Sequence, residues 1–174
     1  MQITISGFPG SGKTTVGRML AEELGYTFFS IGDIRREIAK RKDVTILELN
    51  KSKEDNDTEV DNYQMELGQR QDNIIVEGRM AFHFLPNSIK FFFDVDVSTA
   101  TERIFKDQRL AEKKYLNKET LYLDIKKRMA NDKKRYREIY SIDAFDKSNF
   151  DYVIDTTDKG LGEVKEEILK KLNF

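Results

Sequence analysis

A chain of 174 residues is the size of one domain around a single core, which hides about 70% of its unfolded surface. Its 30 Lys and Arg against 31 Asp and Glu leave a formal net charge of −1, which excludes a global field drawing it to nucleic acid or to a membrane. The absence of cysteine excludes disulfides and thiolate chemistry, and no apolar run nears the roughly 20 residues that span a bilayer. No basic-then-apolar leader opens the chain, so a cytoplasmic protein is expected.

The first predicted element is a β-branched strand over residues 3–6, followed by Gly7-Phe8-Pro9-Gly10-Ser11-Gly12-Lys13-Thr14. This segment matches G-x-x-x-x-G-K-[ST], and apolar residues at helical spacing follow it from Val16 to Leu24. Strand, glycine-rich turn and helix form the setting in which that pattern binds nucleotide phosphates. Glycines let successive backbone N–H groups turn inward around phosphate oxygens, and the helix N-terminus adds its positive end. Lys13 would reach the β- and γ-phosphates, and the Thr14 hydroxyl would coordinate Mg²⁺.

Further strands are predicted over residues 27–29, 73–77, 89–95 and 152–155, with helices beginning near Lys13, Asp33, Glu59, Thr99, Lys118 and Gly162. The alternation argues for an α/β fold, a parallel sheet with helices on both faces. The runs Ile74-Ile75-Val76 and Phe91-Phe92-Phe93 are continuously apolar, as strands covered on both sides should be. Two polar stretches, residues 51–59 and 111–118, read as surface loops or as moving flaps.

In such a sheet the loops at the carboxyl ends of the strands converge on one crevice. Gly32-Asp33 suits a helix start after the second strand and brings Arg36 toward that crevice. Glu77-Gly78-Arg79 follows the third strand. Glu77 would hold a Mg²⁺-bound water, Gly78 would admit close approach, and Arg79 would offer a fork matched to phosphate. On the long helix near residues 120–140, Arg128, Asp132 and Arg135 fall on one face. They could bind phosphate and sugar hydroxyls together, or equally form a self-satisfied ion-pair ladder. Arg103 and Arg109 flank the second polar stretch, a place from which arginines close over a nucleotide. His83, between Ala81-Phe82 and Phe84-Leu85, reads as a packed or partly exposed histidine rather than a base.

Together these residues are the inventory of phosphoryl transfer, in which the protein aligns donor and acceptor and neutralises charge. An acceptor that is itself a phosphate needs no general base, and no obvious base is present. The residues alone leave two other readings: an NTP-binding module in RNA or ribosome maturation, and a shikimate-type alcohol kinase with Asp33 as its base.

Gly7 to Thr14 with Thr15, the run Gly32-Asp33-Ile34-Arg35-Arg36-Glu37, Val76-Glu77-Gly78-Arg79, and Arg135-Tyr136 with Ile139-Tyr140-Ser141-Ile142-Asp143 resemble the archaeal-type cytidylate kinases. These are nucleoside monophosphate kinases of the P-loop class, related to adenylate kinase. The spacing of Arg128, Asp132 and Arg135 is similar to the R-x-x-x-D-x-x-R arrangement of the bacterial enzymes. The resemblance implies a P-loop NTPase fold whose five parallel strands take the order 2-3-1-4-5, forming one domain over residues 1–174. It implies a monophosphate-binding flap at about 32–71 and a short lid at about 108–120. It further implies Mg²⁺-dependent transfer from ATP to CMP or dCMP by a monomer, with adenylate or uridylate kinase activity open.

By matched position, Gly7, Phe8, Pro9, Gly10, Ser11, Gly12, Lys13, Thr14 and Thr15 would bind ATP. Arg103 and Arg109 would act on its phosphates. Arg36 and Arg79 would hold the acceptor phosphate, with Asp33 and Gly78 in the same binding set. Arg128 and Asp132 would contact acceptor sugar or phosphate, Arg135 a phosphate, and Asp61 the acceptor base. Lys13, Arg79, Arg109 and Arg135 are the expected catalytic residues, and Thr14 with Glu77 through water the metal holders. Two departures from the family pattern stand out: Phe8, where a second proline is commoner, and the aromatic, acidic stretch 91–96.

Overall fold

The computed structural model describes residues 1–44, 56–107 and 115–174. Five strands form one parallel sheet: β1 (Gln2–Gly7), β2 (Thr27–Ser30), β3 (Ile74–Glu77), β4 (Ile89–Asp94) and β5 (Tyr152–Asp155). Their order is β2-β3-β1-β4-β5, as the resemblance implies. Seven α-helices are described: α1 (Lys13–Leu24), α2 (Ile31–Arg41), α3 (Asn56–Arg70), α4 (Ala81–Phe84), α5 (Val97–Lys106), α6 (Lys118–Tyr140) and α7 (Leu161–Lys171).

Both faces of the sheet are covered, which is why its strands read as unbroken apolar runs. On one face Ile3, Ile5, Ile75, Phe91 and Phe93 pack with Val16 and Leu20 of α1 and with Val164 and Ile168 of α7. On the other, Ile74 and Val76 pack with Ile31 and Ile38 of α2 and with Val60 and Leu67 of α3. Neighbouring residues of β3 thus serve opposite cores, as the two-residue period of a strand requires.

Two helices start earlier than their apolar pattern suggests, because a capping side chain sits upstream. Ser30 accepts from the Asp33 backbone N–H at 3.3 Å, which starts α2 at Ile31. Asp96 does the same for Thr99 at 3.0 Å, which starts α5 at Val97. The four-residue helix α4 and a 3₁₀ turn at Lys147–Asn149 carry too few residues for a readable period.

Strand β1 has β3 on one side and β4 on the other, so the chain reverses its winding direction there. The register sets Ile5 beside Glu77, Ser30 beside Glu77 and Gly7 beside Phe93, and the carboxyl ends of four strands meet in one place. Parts of the expected flap and lid, residues 45–55 and 108–114, lie outside the described residues, and Arg109 with them. The described flap portion is α2 and α3, joined by ion pairs from Arg41 and Lys42 to Glu59, the latter at 3.6 Å.

Candidate active site

The glycine-rich turn leaves β1 at a position only glycine tolerates. Gly7 has φ +138°, and a Cβ there would lie 2.2 Å from the Phe93 carbonyl oxygen. Gly10, at φ +74°, lies so close to Ala100 that a Cβ would meet its backbone at 2.9 Å. The turn is held by Ser11, whose hydroxyl donates to the Phe8 carbonyl at 2.8 Å. Phe8 packs edge-on against Phe92 with centroids 5.3 Å apart, and against Phe145 at 5.1 Å. The two departures from the family pattern therefore account for each other: the aromatic in the turn rests on the aromatic strand.

Lys13 extends back along the turn, and its ammonium donates to the Phe8 carbonyl at 2.6 Å. Burial pushes its pKa down to about 8; Glu77 opposes that shift, and Arg79 and Arg128 add to it. The electrostatic partners matter as much as the shift, since they place Lys13, Glu77, Arg79 and Arg128 around one volume. Arg79 extends the set. Burial lowers its pKa, but Asp132, Tyr136 and Glu77 outweigh that, and it is held above its ordinary value with Arg135 opposing. Lys13, Glu77, Arg79, Arg128, Asp132 and Arg135, from the turn, the end of β3 and one face of α6, thus converge.

Arg79 Nε lies 2.7 Å from Asp132 Oδ2, with both atoms withdrawn from solvent. They meet at an angle that makes no hydrogen bond, so the pairing is electrostatic. Asp132 therefore orients Arg79: its carboxylate serves an arginine on another element rather than a ladder confined to α6. Gly78 is buried, and its tight neighbour is the Ile31 side chain, 2.8 Å from where a Cβ would stand. Its backbone carbonyl accepts from Ser6 Oγ at 2.7 Å.

Glu77 lies where a metal-holding carboxylate was expected. Its Oε2 accepts from Ser30 Oγ at 3.0 Å and lies 3.4 Å from Thr14 Oγ1. An all-oxygen set of this kind fits Mg²⁺, which keeps most of its waters and takes one or two protein oxygens beside substrate phosphates.

Three other expected site residues, Asp33, Asp61 and Arg103, have protein partners of their own. Asp33 is flanked by Arg36 and by Arg18, the latter at 3.2 Å. Both arginines thus engage the carboxylate that an alcohol-kinase reading would need as its base. Asp61 accepts from the Tyr140 hydroxyl at 2.6 Å, tying α3 to the end of α6. Arg103 is turned onto the loop after β5, donating to the carbonyls of Thr156 at 2.6 Å, Thr157 at 3.1 Å and Lys159 at 3.3 Å. His83 is exposed and rests against Phe84, with partial burial lowering its pKa.

Sequence reasoning missed Ser30, Tyr136 and Tyr140 as parts of the site. Ser30 carried a signal, a serine three residues before Asp33 at a strand-to-helix junction. The two tyrosines fell within the stretch that carries the family likeness, but residue type alone does not separate them from core aromatics.

Residues 2–158 match the model of the cytidylate kinase-like family. The cytidylate kinase of Methanococcoides burtonii is 36% identical over 160 residues, covering 90% of this chain and 88% of that protein. The cytidylate kinase of Methanocaldococcus jannaschii is 38% identical over 169 residues, covering 90% and 89%. Among solved structures, a shikimate kinase from Bacteroides thetaiotaomicron superimposes with a TM-score of 0.68 at 16% identity, covering 100% of this chain and 99% of that one. This last is a likeness of fold alone. With a family match over most of its length and relatives above one-third identity, the chain belongs to the cytidylate kinase-like family.

Proposed function

We propose that the chain is a cytidylate kinase, moving the γ-phosphoryl group of ATP to CMP or dCMP and releasing ADP and CDP or dCDP. The observation that carries this reading is the meeting of Lys13, Arg79, Arg128 and Arg135 around Glu77 and Asp132 at the carboxyl edge of the sheet. The kinase names of its relatives support it. A phosphate oxygen of the acceptor, already anionic, forms the new bond to the γ-phosphorus. The bond from that phosphorus to the β,γ-bridging oxygen breaks, and its electron pair leaves with ADP. Lys13 neutralises charge on the donor, Arg79 and Arg135 align the acceptor phosphate, and no side chain need take a proton. Thr14 and Glu77 would hold Mg²⁺, Glu77 through water. When bound, the ion supplies further neutralisation at the donor's phosphates. In this proposal the enzyme works as a cytoplasmic monomer, and the segments at 32–71 and 108–120 close over both nucleotides to exclude water.

The test is ADP release with ATP, Mg²⁺ and CMP, dCMP, UMP, AMP or shikimate in turn, and with no acceptor. CMP or dCMP should exceed AMP and UMP at least about tenfold in kcat/KM, and ATP alone should turn over at under about 1% of the transfer rate. Tight ATP binding without turnover of any monophosphate would point to the NTP-binding module. Turnover with shikimate alone would point to an alcohol kinase.

Lys13 also gives the reaction a pH limit. Its ammonium is charged below about pH 8 and loses its proton above. The ratio kcat/KM for ATP reports the free enzyme, so it should fall about tenfold per pH unit above that point. kcat should hold to higher pH, because bound phosphates favour the charged lysine. A kcat/KM flat to about pH 9.5 in a profile from 6.5 to 10 would contradict this.

A further inference from the structure

Helix α3 buries one stripe, Val60, Gln64 and Leu67, at intervals of four and three residues suited to a helix face, and the middle member is polar. Gln64 is only 2% exposed. Its Nε2 donates to the Val60 carbonyl at 3.4 Å, while Oε1 is buried with no hydrogen-bond partner. The amide cannot simply be turned over, since that would set two acceptor oxygens against each other. A buried acceptor left without a donor is costly, and such groups call for an explanation.

The surroundings supply one. Asp61 precedes Gln64 by three residues and is held by the Tyr140 hydroxyl at 2.6 Å. Tyr140 lies eight residues beyond Asp132, the partner of Arg79, which is about 12 Å along α6 at 1.5 Å per residue. That is about the reach of a nucleoside monophosphate from phosphate to base edge. With the phosphate at Arg79, the base would arrive at the part of α3 that carries Asp61 and Gln64.

Resting on the cytidylate kinase reading, we propose that Gln64 is a specificity-determining residue: its Oε1, together with the Asp61 carboxylate, accepts hydrogen bonds from the 4-amino group of the acceptor cytosine. A 4-amino group offers two N–H donors, one to each acceptor. Uracil presents a carbonyl oxygen at the same place, and three acceptors would then face one another. The bond from Nε2 to the Val60 carbonyl disfavours a flip of Gln64 that would adapt it to uracil. Oε1 is covered in this arrangement, so the contact forms as the base displaces the side chains over it.

The test compares the wild type with Gln64→Met, which keeps the length and removes the acceptor, using CMP and UMP. The CMP to UMP ratio of kcat/KM should collapse about tenfold or more, through a loss with CMP and a change of under about threefold with UMP. A folded variant with an unchanged ratio would overturn the inference whatever its melting point, and a lowered melting point beside it would mark the glutamine as purely structural. A reading independent of that variant comes from the wild type by NMR. CMP at saturation should shift the Gln64 side-chain amide signals, and UMP at saturation should shift them less. Equal shifts would overturn the inference as well. Wild-type protein that phosphorylates CMP while failing these tests would sink Gln64 alone. Wild-type protein inert toward every monophosphate would sink the kinase reading together with it.

Discussion

Replacing Lys13 by methionine is expected to lower kcat by at least about a thousandfold, near 4 kcal/mol of barrier, with the fold intact. The ammonium is the positive group on the phosphate-binding turn itself, and its neighbours Arg79 and Arg128 sit on other elements. In the proposed mechanism neither stands where Lys13 would, along the donor's β,γ bridge. The same change should not cost stability. The folded state lowers the Lys13 pKa from 10.5 to about 8 mainly by burial, so folding penalises the charged form. That penalty is fully present below pH 8 and fades as the pH rises from 8 toward 10.5, where the unfolded chain still binds the proton and the folded one does not. At pH 7 methionine escapes it, and the melting point of Lys13→Met should equal or exceed that of the wild type. Between pH 8 and 10 the wild type should close the gap. Normal kcat in the variant would refute the placement of the donor; a melting point several degrees lower would refute the electrostatic account of the turn.

The parts of the site that were legible in the sequence are those where backbone geometry and residue type are tied together. The turn from Gly7 to Thr14 needs glycine because the Phe93 carbonyl leaves no room for a Cβ, and that constraint writes itself into the sequence. The sheet order was not legible from period or composition; it came through the family likeness. What the residues did show was burial on both faces, visible in the unbroken runs of β3 and β4. Arg128, Asp132 and Arg135 were legible as a shared face of α6, but not which arginine Asp132 would hold. That partner, Arg79, comes from another element 53 positions earlier in the chain, and no local spacing encodes the meeting. Phe8 and Phe92 make the same point. Each looked anomalous alone, and only their contact explains them.

Side chains that work through a neighbour were the least readable. Arg103 has the position of a donor-binding arginine, yet here it secures three carbonyls of the loop after β5, a role invisible without the loop's path. Gln64 was hidden for a different reason. A single polar residue in an apolar stripe reads as noise until its buried, unpaired oxygen is found.

Arg79→Ala is expected to lower kcat/KM for the acceptor monophosphate about a hundredfold to a thousandfold while moving the ATP KM by less than about threefold. The guanidinium commits Nε to Asp132 and turns its two terminal nitrogens into a fork, the geometry that grips two oxygens of one phosphate. Arg79→Lys keeps the charge but not the fork, and should recover only part of the loss. Stability separates this role from a structural one. The pair is largely enclosed, with side chains 24% and 15% exposed, so removing the arginine leaves the Asp132 carboxylate without its cation and should cost about 1–3 kcal/mol. Adding Asp132→Asn to Arg79→Ala removes the stranded charge and should restore part of the melting point. It should restore none of the acceptor kinetics, because no fork returns with it. Recovery of both together would mean that Arg79 merely props Asp132. Unaltered acceptor kinetics in a folded Arg79→Ala would remove it from the site, and the acceptor phosphate would then have to be held by Arg36 of α2 or by Arg128 and Arg135 of α6.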